Sequence, residues 1–127
     1  MQITEVCKRY SLSADTLRYY ERIGLIPSVE RTTGGIRNYS EQDCNWIGFI
    51  KCMRKAGVQV GALIEYVRLF QLGEAGDPEC KDILVRERNR IAQQLAELQS
   101  TLELLDYKIE KFETDMRTAE NDLKRNL

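Results

Sequence analysis

The sequence predicts a mainly α-helical protein: a winged helix-turn-helix head followed by one long dimerisation helix. Three observations carry that prediction. Two short helical stretches, Ile3 to Tyr10 and Ala14 to Ile23, are separated by a tight turn, the helix-turn-helix pattern. A basic segment with a Thr33-Gly34-Gly35 tip follows and reads as a hairpin wing. From Ile91 to Leu123, apolar residues then recur in alternating steps of four and three. That is the 3.5-residue period of a coiled coil.

Each element has its own local reason. In the first helix Ile3, Val6 and Tyr10 share a face, and Thr4 is the expected cap. Ser13 is a natural N-cap for the second helix, because its hydroxyl can take a free N–H of the first turn. Residues 14–23 contain no Gly or Pro, and Gly24 supplies the left-handed position that ends many helices. Leu17 and Tyr20 fall on the inward face, which turns Arg18 and Tyr19 outward. Pro27 closes the next turn, and Arg31 and Arg37 flank the wing tip. Ser40 caps a third helix whose Glu41 and Asp43 suit the positive end of its dipole. Its expected buried stripe is Trp46, Ile50 and Met53, with Ile47 alongside, and Gly57 ends it. A fourth helix, Val60 to Leu72, carries Leu63, Ile64, Val67 and Phe70.

The expected domains are a head over 1–72, a linker over 73–79 and a coiled-coil dimerisation helix over 80–127. The linker reading rests on two Gly, one Pro and two acids in GEAGDP. From Cys80 onward there is neither Gly nor Pro. The seam runs Ile91, Leu95, Leu98, Leu102, Leu105, Ile109, Phe112, Met116, Ala119, Leu123. A helix of ~45 residues is roughly 65 Å long. A head of about 70 residues is too small to cover that seam, so a second copy is the expected cover, making a homodimer.

Composition narrows the function classes. The 127 residues carry a formal charge of −1. Residues 1–60 hold 9 Lys/Arg against 6 Asp/Glu, whereas 61–127 hold 10 against 14. The split fits a basic working half and an acidic, solvated half. No signal peptide and no apolar run near the ~20 residues of a membrane span appear, so the expectation is a soluble, cytoplasmic protein with no membrane partner. Four scattered cysteines without C-x-x-C spacing, and no His, argue against a zinc site or a disulfide framework. Cys44 and Cys52 on one helix stand about 12 Å apart, beyond the ~7 Å Cα limit of a disulfide. A thiol enzyme needs a base, a resolving Cys or an oxyanion site. None is visible, so no enzyme activity and no cofactor are expected. An outward Arg-Tyr pair beside a basic hairpin instead suits a phosphate-lined groove with base edges on its floor.

The run T-L-R-Y-Y-E-R-I-G-L, then G-I-R-N-Y, then a coiled-coil helix resembles the MerR family of bacterial transcription regulators over the whole chain. The resemblance implies a homodimer with an antiparallel coiled coil, bound to a pseudo-palindromic operator in double-stranded DNA. It also implies that DNA is bent and untwisted to bring promoter elements into phase for RNA polymerase. Carried over by position, Thr16, Arg18 and Tyr19 form the major-groove face, with Arg18 the base-contact candidate. Arg31, Arg37 and Tyr39 are wing contacts to the DNA backbone, Tyr39 having core as its alternative. Arg54, in C-M-R-K-A-G, is a further backbone contact.

The sensor reading starts from what is missing. Metal-sensing branches of the family resemble one another in a Cys or Ser opening the long helix and a Cys pair after it. Cys80 occupies the first place, but no Cys follows. The four-Cys cluster of the iron–sulfur branch is absent as well. A chain ending at Leu127 leaves no room for a drug-binding domain. The segment W-I-G-F-I-K-C-M-R-K-A-G resembles the branch that responds to reactive aldehydes and nitrosative stress. Cys52 is therefore the leading sensor thiol, with Lys51 and Lys55 as neighbours that favour thiolate, and a small reactive electrophile is the implied effector. Cys80, Cys7 and Cys44 rank below it, Cys7 and Cys44 as packing residues. Two alternatives stay open: a metal-responsive regulator using Cys80, and an architectural coiled-coil DNA-binding protein with no effector.

Overall fold

A computed structural model describes residues 1–125. It comprises α1 (Ile3–Tyr10), α2 (Ala14–Ile23), α3 (Glu41–Lys55), α4 (Val60–Phe70), a 3-10 turn at Gly73–Gly76, and α5 (Asp77–Arg125). The chain forms two compact units, Met1–Arg88 and the remainder of α5 from Asn89. Among the described residues no helix is long and apolar enough to cross a membrane.

The caps explain most boundaries. Ser13 Oγ accepts the Thr16 N–H at 3.1 Å, and Gly24 closes α2 with φ at +84°, a left-handed conformation. Ser40 and Asp43 exchange side-chain and backbone bonds in a complete capping box at α3. At α1 the expectation fails: extended Gln2 is the cap, without a side-chain bond, and Thr4 lies inside the helix. The cap position is set by where the backbone turns helical, one step before the apolar Ile3, and no side chain fixes it.

The head's core is built from Val6, Leu17, Leu25, Ile26, Tyr39, Cys44, Ile47 and Ile50, all nearly inaccessible. Each large apolar side chain buried there contributes about 1.5–3 kcal/mol. Helix α1 packs on α2 and α3, so the inward face of α3 is Cys44, Ile47 and Ile50. Trp46 and Met53, expected in that stripe, are only half-buried. Trp46 is turned instead toward the rings of Tyr66 and Phe70 on α4. On α4 the buried set is Leu63, Val67 and Leu69, and Phe70 is exposed.

The expected linker is largely helical. Gly73–Gly76 forms the 3-10 turn, and α5 starts at Asp77, three residues ahead of Cys80. Pro78 is compatible because the first helical turn has no N–H partner to lose. Gly76 permits a close approach: a Cβ there would lie 2.1 Å from the Leu69 carbonyl oxygen. Cys80 and Ile83 then pack with Leu69, flanked by Ala62 and Tyr66, which anchors the start of α5 in the head.

Along the rest of α5, from Leu95 on, the seam side chains are exposed. Leu95, Leu98, Leu102, Leu105, Ile109, Phe112, Met116 and Leu123 are 49–67% exposed. A continuous apolar stripe of that length marks an association surface, and its period is that of a helix–helix seam.

Candidate nucleic-acid interface and thiol sites

Helix α2 presents its outward face as a short polar row. Arg18 and Tyr19 are both exposed. Arg22, one turn on, places its guanidinium carbon 5.4 Å from the Tyr19 ring centroid, a cation–π contact that orients the ring. Arg18 Nη1 lies 3.2 Å from Asp15 Oδ1. Both groups are solvated, so that pair holds Arg18 only weakly. Thr16 is half-buried, with its hydroxyl 2.8 Å from Ser13 Oγ.

The wing is a minimal hairpin. Arg31 and Arg37 form a single antiparallel bridge. Thr32 N–H donates to the Ile36 carbonyl at 2.7 Å, and Gly35 at φ +82° makes the tip. Arg31 Nη1 donates to the Gly35 carbonyl at 3.0 Å.

Glu21 fastens the wing to α2. Its Oε1 accepts from Arg37 Nε at 2.7 Å, and its Oε2 accepts the Val29 N–H at 3.0 Å. Burial alone would raise the Glu21 pKa. The Arg37 and Val29 hydrogen bonds, with the charges of Arg37 and Arg31, outweigh it and hold the carboxyl below its ordinary value. Arg37 therefore has a structural partner inside the chain, with its side chain 23% exposed. Sequence reading missed Glu21, although the signal was present: Glu21 stands four residues after Leu17, on the inward face, where a carboxylate needs a partner. Arg22 was missed too, and its signal was the one-turn spacing from Arg18 and Tyr19.

A stability prediction follows from this carboxylate. Its pKa is depressed in the folded state, so its stabilisation is present above the unfolded carboxylate value, ~4.3. It is lost as the pH falls through the lower folded value. Glu21→Gln should cost about 1–3 kcal/mol at neutral pH. The gap to wild type should close in acid, as measured by urea unfolding at pH 7 and below 4.

Tyr39, a wing contact by family position with core as its alternative, belongs to the core. It is 2% exposed, and its hydroxyl is buried without a hydrogen-bond partner among the described residues. Burial, against the charge of Arg37, raises its pKa. Its N–H donates to the Met1 carbonyl at 2.8 Å, a contact across 38 residues that periodicity could not anticipate. Arg54 is exposed, and its Nη1 donates to the Val58 carbonyl at 2.7 Å just beyond α3.

The thiols differ in access. Cys52 is exposed on α3, Cys7 is half-buried, and Cys44 and Cys80 are buried. The Lys51 ammonium donates to the Tyr10 carbonyl at the end of α1, where a cation suits the helix dipole. Lys55 remains exposed, one turn beyond Lys51 on α3. Cys80 Sγ donates to the Tyr66 carbonyl at 3.7 Å. Burial first, then Asp77 and Glu79, push its thiol pKa up, so the opening of α5 does not yield a thiolate there. Among the described residues no three His, Cys, Asp or Glu side chains converge as a metal site.

Comparison with known proteins points one way. The family model for MerR HTH family regulatory proteins matches residues 1–69. The HTH-type transcriptional regulator AdhR of Bacillus subtilis (strain 168) is 54% identical over 91 residues, which is 72% of this chain and 65% of AdhR. This chain thus spans just under two thirds of that relative's length. A crystal structure of a MerR family transcriptional regulator from Listeria monocytogenes superposes with a TM-score of 0.89 at 38% identity, covering 98% of this chain and 94% of that one. HiNmlR, a MerR family regulator lacking the sensor domain and crystallised on promoter DNA, superposes with a TM-score of 0.76 at 25% identity. That match covers 89% of this chain and 90% of HiNmlR.

Proposed function

The chain belongs to the MerR family of helix-turn-helix regulatory proteins, and we propose that it works as a homodimer on a two-fold operator, switched by a reactive electrophile at Cys52. One observation carries the DNA-binding reading: Arg18, Tyr19 and Arg22 stand outward on α2, in one head with an Arg31–Arg37 wing that Glu21 ties to the same helix. In this reading Arg18 reaches a base edge in the major groove, with Thr16 and Tyr19 beside it. Arg31 and Arg54 contact phosphates, and Arg37 contributes through its free N–H groups while Nε holds Glu21. Tyr39 supports the wing from beneath. The long seam of α5 joins two such heads in an antiparallel pair, so that two half-sites are read together. Changing the relation of the two heads then bends or untwists the intervening DNA and alters its use by RNA polymerase.

The effector reading rests on Cys52 being exposed on the helix that links the head's core to α4. An aldehyde adds there without an oxidant: the sulfur bonds to the carbonyl carbon, and the thiol proton ends on the carbonyl oxygen. The added bulk biases the dimer between two DNA-bound shapes. Cys80, buried and with a raised pKa, is the weaker sensor.

Transcription in vitro with purified polymerase tests this, comparing wild type and Cys52→Ser with and without formaldehyde while operator occupancy is measured in the same tubes. Activation of wild type only after treatment, none in the mutant and equal occupancy in both is the expected result. Equal activation of both proteins refutes Cys52 as the sensor. Bound but silent proteins, with Cys52 reacting no faster than a free peptide thiol, would leave the architectural reading in its place.

A further inference from the structure

We propose that formaldehyde closes a one-carbon bridge between Cys52 and Lys55, a covalent staple across the last turn of α3. The proposal rests on the Cys52 reading above and deepens it. It names the second nucleophile of the site and the class of electrophile taken there, an unhindered aldehyde.

Two nucleophiles of different kind stand together at the end of α3. Cys52 and Lys55 are both exposed, and the helix runs through both to its last residue, Lys55. Helical positions three apart are surface neighbours, with Cβ atoms about 5–6 Å from each other. A cysteine sulfur, one carbon and the flexible four-carbon stem of a lysine span that gap. Lys51 is nearer in sequence, but adjacent helical positions do not face each other, and its ammonium is on the Tyr10 carbonyl. The Lys55 ammonium makes no hydrogen bond or ion pair among the described residues. Lys55 follows Lys51 by one turn, which puts it on the side of α3 toward α1. Trp46 and Phe49 mark the other side, where α3 meets Tyr66 of α4.

The reaction balances without an oxidant or a reductant. The Cys52 sulfur bonds to the carbonyl carbon, and the thiol proton goes to the carbonyl oxygen, leaving a hydroxymethyl thioether. The Lys55 amine, in its uncharged form, then bonds to the same carbon. The carbon–oxygen bond breaks, and the hydroxyl leaves as water with a proton from the nitrogen. Sulfur and nitrogen end on one methylene. A thiol adduct alone has one bond to lose, whereas the staple has two, so it outlasts the free aldehyde. A haloacetamide makes a single bond to sulfur and cannot bridge, and a ketone brings two substituents to a carbon that must fit between neighbouring side chains. The effect falls where α3 ends. The Cys52 carbonyl accepts the Ala56 N–H at 3.1 Å, and Arg54 Nη1 donates to the Val58 carbonyl at 2.7 Å. The staple therefore fixes the turn that presents Arg54.

Full-length wild type, Cys52→Ser and Lys55→Arg are treated with formaldehyde, digested and mapped by mass spectrometry, with transcription measured in parallel. Lys55→Arg keeps the charge, but a guanidinium stays protonated and supplies no amine; circular dichroism checks that it folds. In wild type, Cys52 and Lys55 should be linked with a net gain of one carbon, formaldehyde added and water lost. Lys55→Arg should carry the thiol adduct alone and need at least about five-fold more formaldehyde for half-activation. Iodoacetamide, which only caps Cys52, should activate neither protein. Activation of wild type by iodoacetamide as by formaldehyde overturns the staple. Cys52 modified without a bridge, with Lys55→Arg switching like wild type, also overturns it and leaves the Cys52 switch standing. A bridge from Cys52 to Lys51 overturns the assignment to Lys55. Equal activation of wild type and Cys52→Ser overturns the staple and the Cys52 reading together.

Discussion

Replacing Leu102 and Leu105 together with Glu should turn the protein into a monomer and cost it nearly all operator affinity. Both leucines stand mid-seam on α5 and are more than half exposed in the single chain. Packed against a second copy, each would contribute about 1.5–3 kcal/mol. A charge buried in its place adds a desolvation penalty of several kcal/mol. Two-fold symmetry applies each change twice. With two heads no longer joined, the second half-site contact ceases to be intramolecular, and affinity should fall by about 100-fold or more. Sedimentation velocity reads the first effect and anisotropy with labelled operator the second. The head should remain folded, since Val6, Leu17, Ile47 and Ile50 form a core of its own within the unit Met1–Arg88. Unchanged Trp46 fluorescence checks that.

Arg18→Ala should be the most damaging change on the head. A two-pronged guanidinium contact to a base discriminates by about 1–3 kcal/mol. Two heads double it, so a loss of roughly 30-fold or more is expected. Specificity should relax at one base pair in each half-site. Arg31→Ala should weaken all sequences alike and reduce the salt dependence by about one counterion per head. Asp15→Ala, which only frees Arg18 from a solvated pair, should change little. Equal losses from Arg18→Ala and Arg31→Ala on specific and random DNA would remove the base-reading role of α2.

How much of this the sequence disclosed depends on the range of the interactions involved. Ser13, Gly24 and Ser40 act on their own helix ends, and each was legible at its position. The α5 seam was legible because a 3.5-residue period repeats many times. What escaped lay in contacts between distant segments. Lys51 reaches the Tyr10 carbonyl across 41 residues. For Tyr39 the core was already one of two readings, and the choice between them lay in a backbone contact with Met1, 38 residues away. Trp46 has the spacing of a core residue, yet it meets α4 at the rim of the head. The Gly73–Pro78 stretch has a linker's composition, but proline at the second residue of a helix and glycine beneath a carbonyl are both helix-compatible. Within the candidate site, the outward pair Arg18 and Tyr19 followed from helix geometry. The Glu21 latch required knowing that the wing returns to α2.

Hydroxyl-radical footprinting on the DNA flanking its own gene tests the central claim most directly, using wild type, Arg18→Ala and the Leu102/Leu105 double mutant in parallel. The account predicts two protected half-sites related by a dyad, with both lost together in the double mutant and both weakened by Arg18→Ala. A single protected patch that survives in the double mutant, or protection indifferent to Arg18, would contradict it.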